Sequence, residues 1–407
     1  MTNLSTPGDL LVRDVRAWPR EPSGEGVDVL VAAGRIAAIG PSLEAPAGTP
    51  EADGRGGVLL PALADVHAHL DSTRLGLPFR PHTAGPGLAG LVENDRANWR
   101  SAEKPVADRA TYTLGRTIAS GATRVRSHAQ VDTDSGLERL EGVLAAREAH
   151  RDRAAVEVVA FPQAGILREP GTADLLEQAL LAGADLVGGL DPCAFDRDPV
   201  RHLDVVFGLA DRHHRDVDIH LHEGGELGAF TIELIAERVA ALSMQGRATI
   251  SHAFALSSVD ADRQAALVDL LASHDIAVTT VAPGVREPLP LERLRAAGVR
   301  VGLGQDGIRD YWSPYGDGDV LGRAWQLAFR SGYRRDELVE GCVEVASLGG
   351  AAVLGLDLPG RGLDVGAPAD LVVVPGDTVT AAVMDRAPRT LVVREGHVVA
   401  RDGELTG

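Results

Sequence analysis

The sequence predicts an α/β protein: a (β/α)8 barrel of the TIM type over residues 61–356, with a small β-sandwich assembled from both termini, residues 1–60 and 357–407. Three observations carry this. Eight short apolar, β-branched segments alternate with longer segments of helical periodicity through the middle of the chain, a count and rhythm that match a parallel barrel. The two ends share a different texture, short strand-like runs broken by glycine turns. Histidines and a carboxylate stand at the ends of several middle segments, where such barrels keep their chemistry.

Taken in order, Asp9–Ala17, Val27–Ala33 and Arg35–Ile39 read as strands. Barrel strands follow at Ala64–His69, Ala122–His128, Val156–Phe161, Asp185–Gly189, Val217–His222, Ala248–His252, Ala277–Val281 and Val299–Gly304. Helical periodicity is plainest in Thr172–Ala182, Val200–Arg212, Leu227–Leu242 and Ala261–Ser273. Ala369–Val374, Arg389–Arg394 and His397–Ala400 are β-rich again, so the two ends are expected to meet in one small domain. An open doubly wound sheet is the alternative. It would show fewer strands and a glycine-rich turn after the first, whereas this chain has histidines there.

Composition removes other classes. Apolar residues make up 44% and charged residues 24%, so the chain is neither disordered nor fibrous. Acidic residues outnumber basic ones by 58 to 40, a field that repels nucleic acid and anionic lipid. No apolar run reaches a membrane span. Met1–Arg13 lacks the pattern of a secretory signal, so a cytoplasmic protein with no membrane or nucleic-acid partner is expected. The two cysteines, Cys193 and Cys342, cannot build a disulfide framework or a cysteine-rich zinc module. Lys104 is the sole lysine, and no Gly-Lys-Ser/Thr loop for phosphate exists.

The chemical signal begins in Asp65-Val66-His67-Ala68-His69-Leu70-Asp71. Residues i and i+2 of a strand face the same side, so His67 and His69 project together and can share a metal ion. Alone, the pair could equally be two satisfied histidines. However, His220 ends the fifth strand, His252 the sixth and Asp306 the eighth. Side chains from matching ends of strands one, five, six and eight converge above a barrel, so a metal centre is expected.

With these residues on the page, the whole chain resembles the amidohydrolase superfamily in its His67-x-His69…His220…His252…Asp306 order. The resemblance implies that His67, His69, His220 and Asp306 bind one divalent ion, Zn2+ or Fe2+, with His252 beside the metal-bound water. Whether His252 is itself a ligand stays open. Many relatives bridge two metals with a carboxylated lysine on strand four; Asp185–Pro192 contains no lysine, so a single ion is expected. Val159–Leu167, His69–Thr73 and the His220-x-x-Glu223 spacing resemble bacterial cytosine deaminases. Asp185–Pro192 and Ile308–Trp312 are similar to N-isopropylammelide aminohydrolases, which act on triazine rings.

The expected reaction is hydrolytic deamination of an amino-substituted N-heterocycle such as cytosine, an aminotriazine or a pterin. A zinc-type ion lowers the pKa of bound water from about 15.7 toward about 7, and the leaving nitrogen must be protonated. Glu223, three residues past His220, is the candidate shuttle; a carboxylate at a helix N-terminus is its plain alternative. With Glu223, His252 and Asp306 are the expected catalytic residues. Gln163 offers a donor and an acceptor to a lactam-like edge. Asp191 is a further substrate partner or a helix cap, and Trp312 a wall or stacking surface. His222 is expected to face away from the metal. Cytosine deaminases typically carry a second aspartate after the metal aspartate; here Gly307 is expected to remove a carboxylate and make room for a larger ring. Cyclic-amide hydrolysis is the alternative within hydrolases, and a non-catalytic metal-binding scaffold the alternative outside them. A small-molecule partner is expected, and self-association is left open.

Overall fold

The computed structural model describes residues 7–18, 26–284, 286–358 and 361–407. Strands β1 (Leu10–Ala17), β2 (Val27–Ala32), β3 (Arg35–Gly40) and β4 (Glu51–Pro61) open the chain. The middle contains β5 (Leu63–His69), β6 (Ala122–Gln130), β7 (Ala155–Phe161), β8 (Leu186–Leu190) and β9 (Asp216–His220). It continues with β10 (Ala248–Ser251), β11 (Ala277–Thr280), β12 (Val301–Leu303) and β13 (Asp306–Gly307). The end supplies β14 (Leu371–Val374), β15 (Leu391–Arg394), β16 (His397–Arg401) and β17 (Glu404–Leu405).

The middle strands form one parallel sheet in the order β12-β11-β10-β9-β8-β7-β6-β5-β13, with helices between successive strands from β5 to β12. Every residue of β5 and β6 is buried, as expected where helices cover one face and the curled sheet encloses the other. The sheet curls far enough for one stretch of chain to touch both edges. β12 pairs with β11, and after Gly304 and Gln305 the chain pairs again, as β13, with Ala68 and His69 of β5. Gly304 permits this: a Cβ there would lie 2.5 Å from the Cβ of His67.

The two ends meet in a separate eight-stranded sheet, β17-β16-β15-β14-β4-β1-β2-β3. The joint is β4, parallel to β1 on one side and antiparallel to β14 on the other. Val12, Val29, Ile36, Leu59, Leu371 and Val393 pack into a core of their own. Among the described residues no helix is long and apolar enough to cross a membrane.

Candidate metal centre and cavity

Strand ends bring the candidate ligands together. His67 and His69 close β5, His220 closes β9, His252 follows β10, and Asp306 opens β13. Asp306 Oδ1 lies 3.6 Å from His67 Nε2 and 3.4 Å from His69 Nε2, and His69 Nε2 lies 3.2 Å from His220 Nε2. Two donor groups share His67: one adds His69, His128 and His220, the other His252 and Asp306, each with ligand atoms within 4.8 Å of one another. His252 and Asp306 hold positive φ angles of 69° and 64°, a conformation that costs about 1–3 kcal/mol for a non-glycine residue and concentrates at functional sites.

The polar atoms fit a metal ion. Among the described residues, His67 Nε2, His220 Nδ1 and both ring nitrogens of His128 and His252 are buried without a hydrogen-bond partner, a costly state for isolated polar groups. Burial keeps four of these rings neutral, the form that ligates metals: His69 is pushed down to about 4 and His128 to about 3, and His220 and His252 lie well below the usual histidine range. Burial works to raise the Asp306 carboxyl, but the His67, His252 and His69 rings that face it hold it well below the usual carboxylate range. Below the rings, His67 Nδ1 lies 2.9 Å from Ser251 Oγ, which donates to Asp218 at 2.6 Å. Arg126 donates in turn to Asp218 at 3.1 Å.

Beside the cluster lies a cavity of about 1110 Å3 whose wall includes His69, His220, His222 and Asp306. Its other sides include Gln163, Phe161, Trp312, Tyr315, Trp325 and Arg323.

The sequence model for the family described as "Amidohydrolase family" matches residues 51–400. The chain belongs to the amidohydrolase family. A crystal structure of N-isopropylammelide isopropylaminohydrolase from Burkholderia multivorans superposes on this amidohydrolase with a TM-score of 0.91 at 43% identity, covering 98% of this chain and 100% of that one. The 5-methylcytosine deaminase of Klebsiella pneumoniae, liganded with 5-fluorocytosine, gives 0.81 at 26% identity, covering 96% and 97%. The pterin deaminase of Rhizobium rhizogenes is 30% identical over 403 residues, 93% of this chain and 90% of its own.

The amidohydrolase cavity takes in some of the expected residues and not others. Gln163 and Trp312 line it. Among the described residues, Glu223, His252 and Asp191 are not part of its wall. The Glu223 carboxylate accepts from the amides of Cys193 and Ala194 at 2.8 and 2.7 Å and from the Thr231 hydroxyl at 2.6 Å. Burial raises its pKa. Asp191 accepts from the His222 amide at 2.7 Å and faces His222 Nδ1 at 2.9 Å. It does not cap the following helix, Pro199–His213, which is capped by Asp198.

Two expectations are corrected. His222 does not face away: β9 stops at His220, strand alternation ends there, and the His222 ring, part of the cavity wall, stacks on His252 with centroids 4.2 Å apart. Gly307 does not leave open space either, because a Cβ there would lie 2.0 Å from Asp310 Oδ2. His128, whose ring centroid is 4.4 Å from those of His67 and His220, joins the donor cluster from the end of β6.

Proposed function

We propose that this amidohydrolase is a metal-dependent aminohydrolase that cleaves an exocyclic C–N bond of an amino-substituted N-heterocycle and releases ammonia or an amine. The observation that carries the reading is the buried set of imidazoles and one carboxylate, their ligand atoms converging beside a cavity of about 1110 Å3. The relatives named above act on ammelide, cytosine and pterin rings, the same chemical class. In this reading His67, His69, His220 and Asp306 hold one divalent ion, Zn2+ or Fe2+. Lys104 lies outside all strands of the parallel sheet, which supports a single ion over a lysine-bridged pair. When bound, the ion supplies a coordinated water whose pKa falls from about 15.7 toward about 7.

The remaining work falls to side chains. Gln163 pairs with the amide-like edge of the ring, and Trp312 covers its face. Glu223 carries a proton to the departing nitrogen, for which a carboxyl raised by burial is better matched to neutral pH than an ordinary one. Doing so requires it to leave the Cys193 and Ala194 amides and the Thr231 hydroxyl. His252 stands beside the reacting centre, and Asp191 acts on it through the orientation of His222. We infer the same division of the chain as above: a closed (β/α)8 barrel over 61–356, supported by the pairing of β12 and β13 at opposite edges. The sandwich of residues 1–60 and 357–407 is supported by its separate core. A cytoplasmic enzyme acting on a free small molecule suits this picture.

The test is release of ammonia or alkylamine by the metal-loaded protein from cytosine, pterin and N-isopropylammelide. Amine release supports the reading, and ring opening without amine release overturns it in favour of a cyclic-amide hydrolase.

A further inference from the structure

The residue after the metal aspartate is glycine, yet the space beside it is filled. Gly307 sits opposite His69 in the β13–β5 ladder, so a side chain at 307 would project next to the candidate metal ligands. The Asp310 carboxyl occupies that volume, with Oδ2 2.0 Å from where a Cβ on Gly307 would stand. Asp310 is buried, yet it is part of the cavity wall. Its Oδ1 accepts from the amides of Trp312 and Ser313, both at 2.8 Å, and is thereby saturated. Among the described residues its Oδ2 accepts only from the Ser72 hydroxyl, at 3.1 Å, and Ser72 also lines the cavity. One acceptor position of Oδ2 therefore remains for a ligand.

We propose that Asp310 is the carboxyl that reads the substrate ring, reaching back three residues to stand where a side chain at position 307 would otherwise be. Its ligand is a ring N–H or an exocyclic amino group of the heterocycle; when protonated, the same carboxyl donates to a ring nitrogen or carbonyl instead. Burial, which pushes Asp310 up to about 7, brings both forms within reach near neutral pH. A site that hydrogen-bonds a polar edge rejects rings lacking it far more strongly than an apolar wall does, so this carboxyl sets the order of preference among rings. The inference rests on the function proposed above.

The experiment compares wild type, Asp310→Asn, Gly307→Ala and the double variant Gly307→Asp/Asp310→Ser. All are metal-loaded, with metal content and a cooperative thermal melt recorded for each. Steady-state kinetics are measured on cytosine, pterin and N-isopropylammelide. Asp310→Asn is expected to lower kcat/KM at least tenfold, chiefly through KM, on the preferred ring and to change the rank order of the three. Gly307→Ala, whose methyl must displace Oδ2, is expected to act in the same direction and serves if Asp310→Asn fails to fold. The double variant, which returns a carboxylate to 307, is expected to recover activity with a different rank order. An active wild type whose Asp310→Asn and Gly307→Ala variants stay within twofold on every ring, with unchanged order, overturns this inference alone. A wild type that releases no amine from any ring overturns the proposed function and this inference with it.

Discussion

Ser251 Oγ lies 2.9 Å from His67 Nδ1 and 2.6 Å from Asp218 Oδ1. A hydroxyl has one proton, and Asp218 can only accept it: its carboxyl, to which the Arg126 guanidinium donates at 3.1 Å, is held well below the usual range despite its burial. The Ser251 oxygen must then accept from His67 Nδ1–H, which leaves the lone pair on Nε2, the atom facing Asp306. A partner that fixes a ligand's tautomer typically contributes 10–100-fold in metal affinity. Ser251→Ala is therefore expected to weaken divalent-metal binding about 10–100-fold, measured by competition with a chelator. Unchanged affinity would show that His67 needs no such orientation.

The ligand assignments make a simpler prediction. His220→Ala or Asp306→Ala is expected to bring bound metal well below one ion per chain, read by elemental analysis of the dialysed protein. Full occupancy in either variant would remove that residue from the ligand set.

Glu223→Gln keeps the Thr231 and amide partners within reach but cannot carry a proton. It is expected to retain the metal and lose about 10²–10⁴-fold in kcat. Turnover within a few-fold of wild type would return Glu223 to a structural role as the carboxylate that ties Cys193 and Ala194 to the helix Gly225–Ala241.

Asp310 gives the pH dependence of stability. Burial raises its folded pKa to about 7, with Asp306 and Asp95 adding repulsion against the stabilising amides of Trp312 and Ser313. A free aspartate titrates near about 3.9. Because the folded value is the higher one, the stabilisation is fully present below about pH 4 and is lost as pH rises toward about 7. Asp310→Asn lacks this loss, so its Tm is expected to gain on wild type between pH 5 and pH 8. A constant difference across that range would mean that Asp310 stays ionised throughout.

The strands of the parallel sheet and their histidines are legible because two periodicities survive in the sequence. Strand alternation put His67 and His69 on one side, and apolar runs marked the ends at His220 and His252. What stayed hidden depends on leaving regular structure. β4, Glu51–Pro61, is not among the expected strands; it carries Gly54, Gly56 and Gly57, a residue type depleted in strands. In fact a Cβ on Gly54 would come within 2.2 Å of Val15 Cγ1, and the register between β1 and β4 slips between Arg13 and Val15. Alternation extended two residues beyond the end of β9 places His222 on the wrong side. The Asp310 carboxyl was missed because a residue's side-chain volume can be filled from three positions along a loop, a relation that spacing does not encode. The glycine at 307 was the available signal.

The longest strand of the terminal sheet, β4, passes through Ala62 straight into β5, and the Ala62 amide is fastened to the Asp370 carbonyl at 2.9 Å. Asp370 also grips Arg124 at the start of β6 at 2.5 Å. Trimming the tail before Asp370 would therefore do more than shorten a peripheral flap. It would unclamp the root from which His67 and His69 project, so a truncated protein should bleed cation long before it unravels.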